Sequence, residues 1–458
     1  HNRVVVATTA LKMGVDALLT YVIIRYTFLW GQSGGKQLTY ADLLQMTGRA
    51  GRRDIPGNAV VLCEPEKAAS IIHMFRKGVI ERIQPQLIRP RKKETDECNP
   101  LLSIILSEII MKGKATVTHV NSFLNCTFSC VQYEPDNRPA KSGNLIEFKV
   151  SAPYEEAVSP QVFDIRKDLN ELIRLKLVYQ EEETANDFCP TKLGKTVTLT
   201  GISPESGALL AGFLRALIKL DEKHEEKKGR RFNYLRRLTD LDLIFLCCAC
   251  FECRSALIKQ PSKKAISDIQ EFIETLTPEE KPIVNLWYDG QSAEYPTHRL
   301  LTTLRISFDK SKKGNAEKAF YKIMQSAILL YQHARGTHLA DLATKFKASL
   351  GELENNLKFN VLWLLNCFSQ ICNPKRCYKL DYLMMRAFKL IECLSVGSKL
   401  GELMRIQGVG RRSVEKLIEN DFHSVNEIEK LGFEDLIEMG IGRKQSRLII
   451  KNSKRNFR

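Results

Sequence analysis

No stretch of about eighteen uncharged apolar residues occurs in this sequence, so no ordinary membrane-crossing helix is expected and no membrane partner with it. The phosphate-cradling pattern GxxxxGK[ST] is also missing, although two segments approach it. At Gly194-Lys195-Thr196 the required first glycine falls on Cys189. At Gly35-Lys36, Gly31 lies one residue too close and Gln37 replaces the hydroxyl. This chain therefore carries no nucleotide-hydrolysing loop of its own. Zinc spacing is absent too: Cys247, Cys248, Cys250 and Cys253 crowd together without a separate second CxxC or a histidine pair. Cys126/Cys130 and Cys372/Cys377 are no stronger, and no metal site is expected. LIFLCCACFEC reads as a buried helix using cysteine as a small hydrophobe. Thirteen cysteines at irregular spacing read as reduced thiols of an intracellular protein, nuclear in a eukaryote and cytoplasmic in a prokaryote. The opening HNRVVVATTALKMGVDA lacks the charged start and cleavage site of a signal peptide. It reads instead as a buried strand, Val4 to Thr8, inside a domain.

What is present is a globular composition with an excess of one charge. At 458 residues, 44% hydrophobic and 27% charged, the chain can build three or four cores. Its 69 Lys+Arg against 53 Asp+Glu give a formal charge of +16, which favours a polyanionic partner. Each phosphate neutralised by such a surface releases condensed counterions, so nucleic acid is the partner class to test.

Hydrophobic patterning divides the chain. Residues 1–90 alternate β-branched runs (RVVVAT, TYVIIRYTF, GNAVVLCE) with loops and a helical YADLLQMTGRAGRR, predicting a partial parallel sheet with both faces covered. PQLIRPRKKETDECNP is a polar, Pro-flanked boundary. Residues 95–200 show helices followed by a strand-like CPTKLGKTVTLT, which suggests a winged-helix module. Residues 201–396 are mostly helical by their 3.6-residue period, with the charged run DEKHEEKKGRR read most simply as a solvated connection. Residues 397–458 hold an internal repeat: IQGVGRRSVEKLIEN is echoed by EMGIGRKQSRLIIKN, each predicting helix, Gly-hydrophobic-Gly turn and helix. The fold class is therefore multidomain α/β plus mostly α.

The sharpest motif is Gln45-Met-Thr-Gly48-Arg49-Ala-Gly51-Arg52, on or beside a helix. Two guanidiniums three residues apart would share a helix face, and planar, permanently charged donors match phosphate oxygens. The plainer alternative is a surface helix whose arginines pair with carboxylates. Upstream, VVVATTALKMGVDA places Thr8, Thr9 and a Gly14-Val15-Asp16 turn after a strand. Together these strings resemble motifs V and VI of superfamily-two helicases, and TTALKMGVD followed by QMTGRAGR is similar to the Ski-like DExH-box group. The domain order resembles that group's DNA-repair branch, the archaeal fork-repair helicases and their eukaryotic relatives. A second RecA-like motor domain comes first, then a winged helix, a helical ratchet domain and a helix-hairpin-helix tail.

The resemblance implies that Gln45, Arg49 and Arg52 are catalytic and face the nucleotide, with Arg52 or Arg49 as an arginine finger. Gly14 and Asp16 would share the nucleotide site, while Thr8 and Thr9 would contact the DNA backbone. It implies a 3′-to-5′ translocase using ATP and Mg²⁺, bound mainly by a first motor domain, because the sequence contains no P-loop. Single-stranded and forked DNA, with repair or replication proteins, are the implied partners.

Three further places carry candidate contacts. TYVIIRYTFLWGQSGGKQLTYADLL reads as strand, glycine-rich turn and strand. There Phe28, Leu29 and Trp30 either wedge a duplex open or bury against the sheet. LENNLKFNVLWLL resembles the ratchet helix, where Trp363 either stacks on a base or belongs to the core; Asn355 and Asn356 stand where the family carries a basic residue. In the repeat, Gly408, Gly410, Gly440 and Gly442 let turn amides approach a phosphate, and Arg411, Arg412, Arg443 and Lys444 add charge. The same hairpins can instead dock a protein. Two rival functions stay open at this point: an RNA helicase of the same group, and a non-catalytic DNA-binding or scaffold protein.

Overall fold

The structure is a computed structural model that describes residues 19–31, 34–51, 56–78, 99–127, 164–180, 187–228, 234–259, 261–283, 313–378, 380–423 and 425–453. It divides into two units, residues 1–85 and 86–458. Among the described residues no helix is long and apolar enough to cross a membrane.

In the first unit β1 (Tyr21–Ile24), β2 (Phe28–Gly31), β3 (Gly34–Gln37), α1 (Tyr40–Thr47), β4 (Asn58–Val61) and α2 (Pro65–Lys77) follow in order. β1 pairs with β4 in parallel, from Tyr21↔Asn58 to Ile24↔Val61, and the bridge Leu19↔Ala50 continues the same edge. β2 and β3 form a separate antiparallel hairpin in the register Phe28↔Gln37 to Gly31↔Gly34. The apolar run TYVIIRYTF, read as one strand, therefore breaks at Arg25–Thr27 into strands of two different sheets. Among the described residues the core lies on one face of this strand pair. Ile24, Leu38 and Leu43 form the core with Met74 and Phe75 of α2, while Ile23 and its partner Val60 are exposed. Both described helices contribute to the same small core, and Tyr40 packs edge-on against Phe75 with centroids 5.4 Å apart.

The second unit opens with α3 (Pro100–Lys112), β5 (Ala115–Thr116), α4 (Val117–Asn125), α5 (Ile165–Arg174), β6 (Val178–Gln180), β7 (Asp187–Pro190) and α6 (Lys192–Thr200). The strands form an antiparallel sheet in the order β5-β7-β6. One sequence reading fails here: KLGKTVTLT is a helix. Its β-branched residues disfavour helix only weakly. Thr191 overrides them by accepting the Gly194 amide at 3.0 Å, and Leu193 and Val197 bury into the core.

The body beyond it is helical: α7 (Pro204–Lys228), α8 (Asp240–Ala249), α9 (Lys263–Thr275), α10 (Lys313–Ala334), α11 (Phe359–Cys372) and α12 (Asp381–Val396). α8 is apolar all round, so it can only be central, and it packs against α10, α11 and α12. Its polar N-terminus is satisfied inside: Asp242, fully buried, accepts from the Thr239 amide and hydroxyl and from the Ile283 amide. Cys247, Cys248, Cys250 and Cys253 lie in this core, and burial pushes each thiol pKa up, keeping them protonated and unreactive. Each wholly buried Leu or Phe here contributes roughly 1.5–3 kcal/mol.

The last seventh of the chain has its own core of Leu400, Leu403, Val409, Val414, Leu417, Ile428, Leu436, Ile441 and Ile449. It is built from a 3₁₀ turn (Lys399–Arg405), α13 (Arg411–Glu419), α14 (Phe433–Glu438) and α15 (Arg443–Ser453). The element before the first Gly-x-Gly turn is thus 3₁₀ rather than the expected α-helix.

Candidate nucleotide and nucleic-acid interfaces

α1 begins with a capping box in which Thr39 and Asp42 exchange hydrogen bonds of 3.1 Å, and it ends at Thr47 with Gly48 as C-cap. Gln45 is exposed on this helix, and Arg49 is half-buried in the turn that follows. Arg49 therefore lies past the end of α1 rather than on its face. Past Gly48 the backbone leaves the helix: Gly51 has φ +74°, and its amide donates to the Leu19 carbonyl at 2.8 Å. The chain is turned back to the sheet edge instead of continuing as helix. Arg52, Thr8, Thr9, Gly14 and Asp16 lie outside the described residues, as do the side chains of Phe28, Leu29 and Trp30, although the β2–β3 hairpin carrying those three is present.

The false P-loop tail at Gly194-Lys195-Thr196 is inside α6. Gly194 is small because the strand turn passes over it: a Cβ there would stand 2.2 Å from the Leu177 carbonyl oxygen.

Trp363 is half-buried on α11 and packs against the main core. Its indole Nε1 donates to the Thr200 carbonyl at the end of α6 at 2.9 Å, and a Cβ on Gly201 would lie 3.7 Å from its ring. The side chain bolts α11 to α6.

The two Gly-x-Gly turns are built alike. Val409 and Ile441 are buried pins, at 6% and 2% exposure, while Gly408, Gly410, Gly440 and Gly442 are exposed around them. Gly408 and Gly440 take positive φ, +91° and +76°, which an L side chain rarely adopts. Arg411 and Arg412 open α13, Arg443 and Lys444 open α15, and all four are exposed. Gly410 offers no side-chain cap, so the first-turn amides of α13 and its dipole face outward beside two guanidiniums.

The turns also brace each other. A Cβ on Gly408 would meet Leu448 Cδ1 at 2.9 Å, and one on Gly440 would meet Lys416 Nζ at 2.8 Å. The offset that maps Gly408 onto Gly440 maps Lys416 onto Leu448, so the contact is made once in each direction. Lys416 additionally donates to the Gly440 carbonyl oxygen. The sequence reading missed Lys416; the signal was the repeat itself, in which the second helix of each hairpin faces the other's turn.

No protein-family model matches the chain. Among curated proteins it is 27% identical over 247 residues to DNA polymerase theta of Drosophila melanogaster, covering 52% of this chain and 11% of that protein. It is 29% identical over 192 residues to the ATP-dependent DNA helicase Hel308 of Pyrococcus abyssi, covering 41% of this chain and 25% of that one. Against Hel308 of Pyrococcus horikoshii the identity is 32% over 87 residues, 19% of this chain and 12% of the relative. The chain thus spans about a tenth to a quarter of these relatives' lengths, and over those stretches it is homologous to Hel308-type helicases and DNA polymerase theta.

Proposed function

We propose that this chain is the C-terminal portion of an ATP-dependent DNA helicase that translocates 3′-to-5′ in DNA repair or fork processing. The observation that carries the reading is the mutually braced pair of Gly-x-Gly turns, each with two exposed basic residues at a helix start, the first of them without a side-chain cap. Such a surface grips backbone phosphate without reading bases, as a motor that moves along DNA requires. The printed names of the relatives, a DNA polymerase and a DNA helicase, support DNA as the partner.

On this reading residues 1–90 belong to the second motor domain, 95–200 to a winged helix, 201–396 to the ratchet domain and 397–458 to a helix-hairpin-helix domain. The helix, strand, helix, helix, strand, strand order of α3 to β7 supports the winged helix. For ATP, the exposed Gln45 and the Arg49 turn beyond α1 suit the phosphate end of a nucleotide, with Arg52 beside them in sequence. Mg²⁺ would come with the nucleotide, held mainly by a first motor domain. When bound, ATP supplies the phosphoryl group whose developing charge the guanidiniums stabilise. Intracellular, nuclear or cytoplasmic placement follows as part of the same proposal.

The test is a fluorescence-anisotropy titration of the chain with single-stranded and forked DNA across a salt series. Binding should be sequence-tolerant, with affinity falling steeply and linearly on a log–log plot. Affinity that ignores salt, or that requires one base sequence, would overturn the reading.

A further inference from the structure

The turn that carries Arg49 is buttressed by a glycine outside the motif. Arg49, Ala50 and Gly51 follow α1, and two backbone bonds fix where they lie. The Ala50 amide donates to the Thr47 carbonyl at 3.0 Å, and the Gly51 amide donates to the Leu19 carbonyl at 2.8 Å. The chain is back at the same strand edge by Gly57. The next amide, that of Asn58, donates to the Thr20 carbonyl at 2.9 Å, and β4 begins there. Two consecutive carbonyls, Leu19 and Thr20, thus hold the outgoing and the returning backbone side by side.

The two backbones touch through Gly57. A Cβ there would stand 2.0 Å from the Gly51 nitrogen, 2.1 Å from the Ala50 carbonyl carbon and 2.6 Å from the Ala50 carbonyl oxygen. Ordinary non-bonded contact needs about 3.5 Å, so a methyl group would have to push the turn back by roughly 1.5 Å. All three atoms are backbone, and no side chain can rotate aside to make room. Gly57 does not take a left-handed φ, so its torsions do not call for glycine; only space excludes a side chain. It is exposed and lies outside the core of Ile24, Leu38 and Leu43, so core packing does not account for it either.

We propose that Gly57 is a positioning residue for Arg49 in ATP hydrolysis. Its bare backbone lets the Arg49–Gly51 turn seat against the strand edge, which sets where the Arg49 guanidinium meets the nucleotide. The inference rests on the ATP-hydrolysing reading above. A guanidinium that stabilises charge developed only in the transition state depends steeply on its placement, and an error of about 1 Å can cost about 100-fold in rate. Nucleotide affinity, supplied mainly by a first motor domain on that reading, does not share this dependence.

The experiment compares wild type with Gly57→Ala in the complete protein, first motor domain included. Gly57→Ala should lower kcat for DNA-stimulated ATP hydrolysis by about 100-fold and leave affinity for a fluorescent, non-hydrolysable ATP analogue unchanged. In the 458-residue chain, hydrogen exchange should quicken at the Gly51 amide while the amides of β1 and β4 keep their protection. Three results overturn the proposal and leave the ATP reading standing: an unchanged kcat in Gly57→Ala, a loss of nucleotide affinity equal to the loss of kcat, or faster exchange throughout β1 and β4. A complete wild-type protein that releases no phosphate removes both.

Discussion

The Lys416 ammonium donates to the Gly440 carbonyl oxygen in the place that Leu448 takes against Gly408 in the other half of the repeat. The two Gly-x-Gly turns are therefore one unit: neither can shift without dragging the second helix of the other. A braced pair of turns presents its phosphate-facing amides at fixed spacing, which lowers the ordering cost of gripping a backbone at two points.

Gly408→Ala and Gly440→Ala should each loosen that unit. Both need positive φ, which costs an L residue about 1–2 kcal/mol, and both would push a Cβ against the bracing side chain. Hydrogen exchange across residues 400–450 should speed up while α8 keeps its protection, and fork affinity should fall. Unchanged exchange in the tail would mean that the turns tolerate a Cβ and the bracing is slack.

Gly194→Ala tests whether the apparent phosphate-loop tail is a packing glycine. Its Cβ would have to displace the Leu177 carbonyl, so a loss of about 1–3 kcal/mol is expected, seen as a lower denaturation midpoint. Lys195→Ala, on the exposed side of the same helix, should leave both stability and DNA binding close to wild type.

Much of this architecture was legible beforehand because it rests on periodic signals. The 3.6-residue pattern marked α7, α10 and α11, and the repeated Gly-Val-Gly and Gly-Ile-Gly marked the terminal turns. What escaped were features set by tertiary neighbours. KLGKTVTLT looked like a strand by composition, yet a threonine cap and two buried apolar residues made it helical. TYVIIRYTF looked continuous, yet its halves pair with different partners. At the candidate sites the sequence left Trp363 between base contact and core; its burial depends on what α6 brings alongside, which spacing along α11 does not encode.

Trp363→Phe should separate bolt from stacking platform. Phenylalanine still stacks but cannot donate to the Thr200 carbonyl, so it leaves a half-buried acceptor with only the weak Cys367 thiol donor at 3.9 Å. A bolt predicts a stability loss of about 1–3 kcal/mol with single-strand affinity nearly unchanged at a temperature where the chain is folded. Unchanged melting together with weakened binding would return Trp363 to the role of base contact.

The chain by itself should release no phosphate from ATP above a buffer blank, with or without single-stranded DNA, since it has no P-loop. In the complete protein, Arg52→Ala or Arg49→Ala should abolish turnover while ATP binding survives, because a guanidinium that meets developing charge acts mainly on the transition state. Equal losses of binding and turnover would make these arginines structural.

His333 gives the chain an acid-sensitive joint. The imidazole is 7% exposed and stands against Gly397, the φ +74° C-cap of α12, where the helical body meets the terminal hairpins. Its Nδ1 lies 3.1 Å from the Thr337 carbonyl, which fixes the Nδ1–H tautomer as donor, and its Nε2 has no partner among the described residues. Burial lowers the pKa. The Thr337 bond and Glu354 oppose the shift, while Lys358 and His338 favour it. Because the folded protein binds this proton less readily than the unfolded chain, the stability tied to neutral His333 is present above about pH 6.5 and is lost as pH falls through the depressed folded value. His333→Asn keeps a donor for Thr337 and removes the titration. Melting temperatures measured from neutral pH down to about pH 5, a range in which histidine is the usual titrating side chain, should therefore fall more for wild type than for His333→Asn. Parallel profiles for the two proteins would place the acid sensitivity elsewhere and leave His333 as a packing residue.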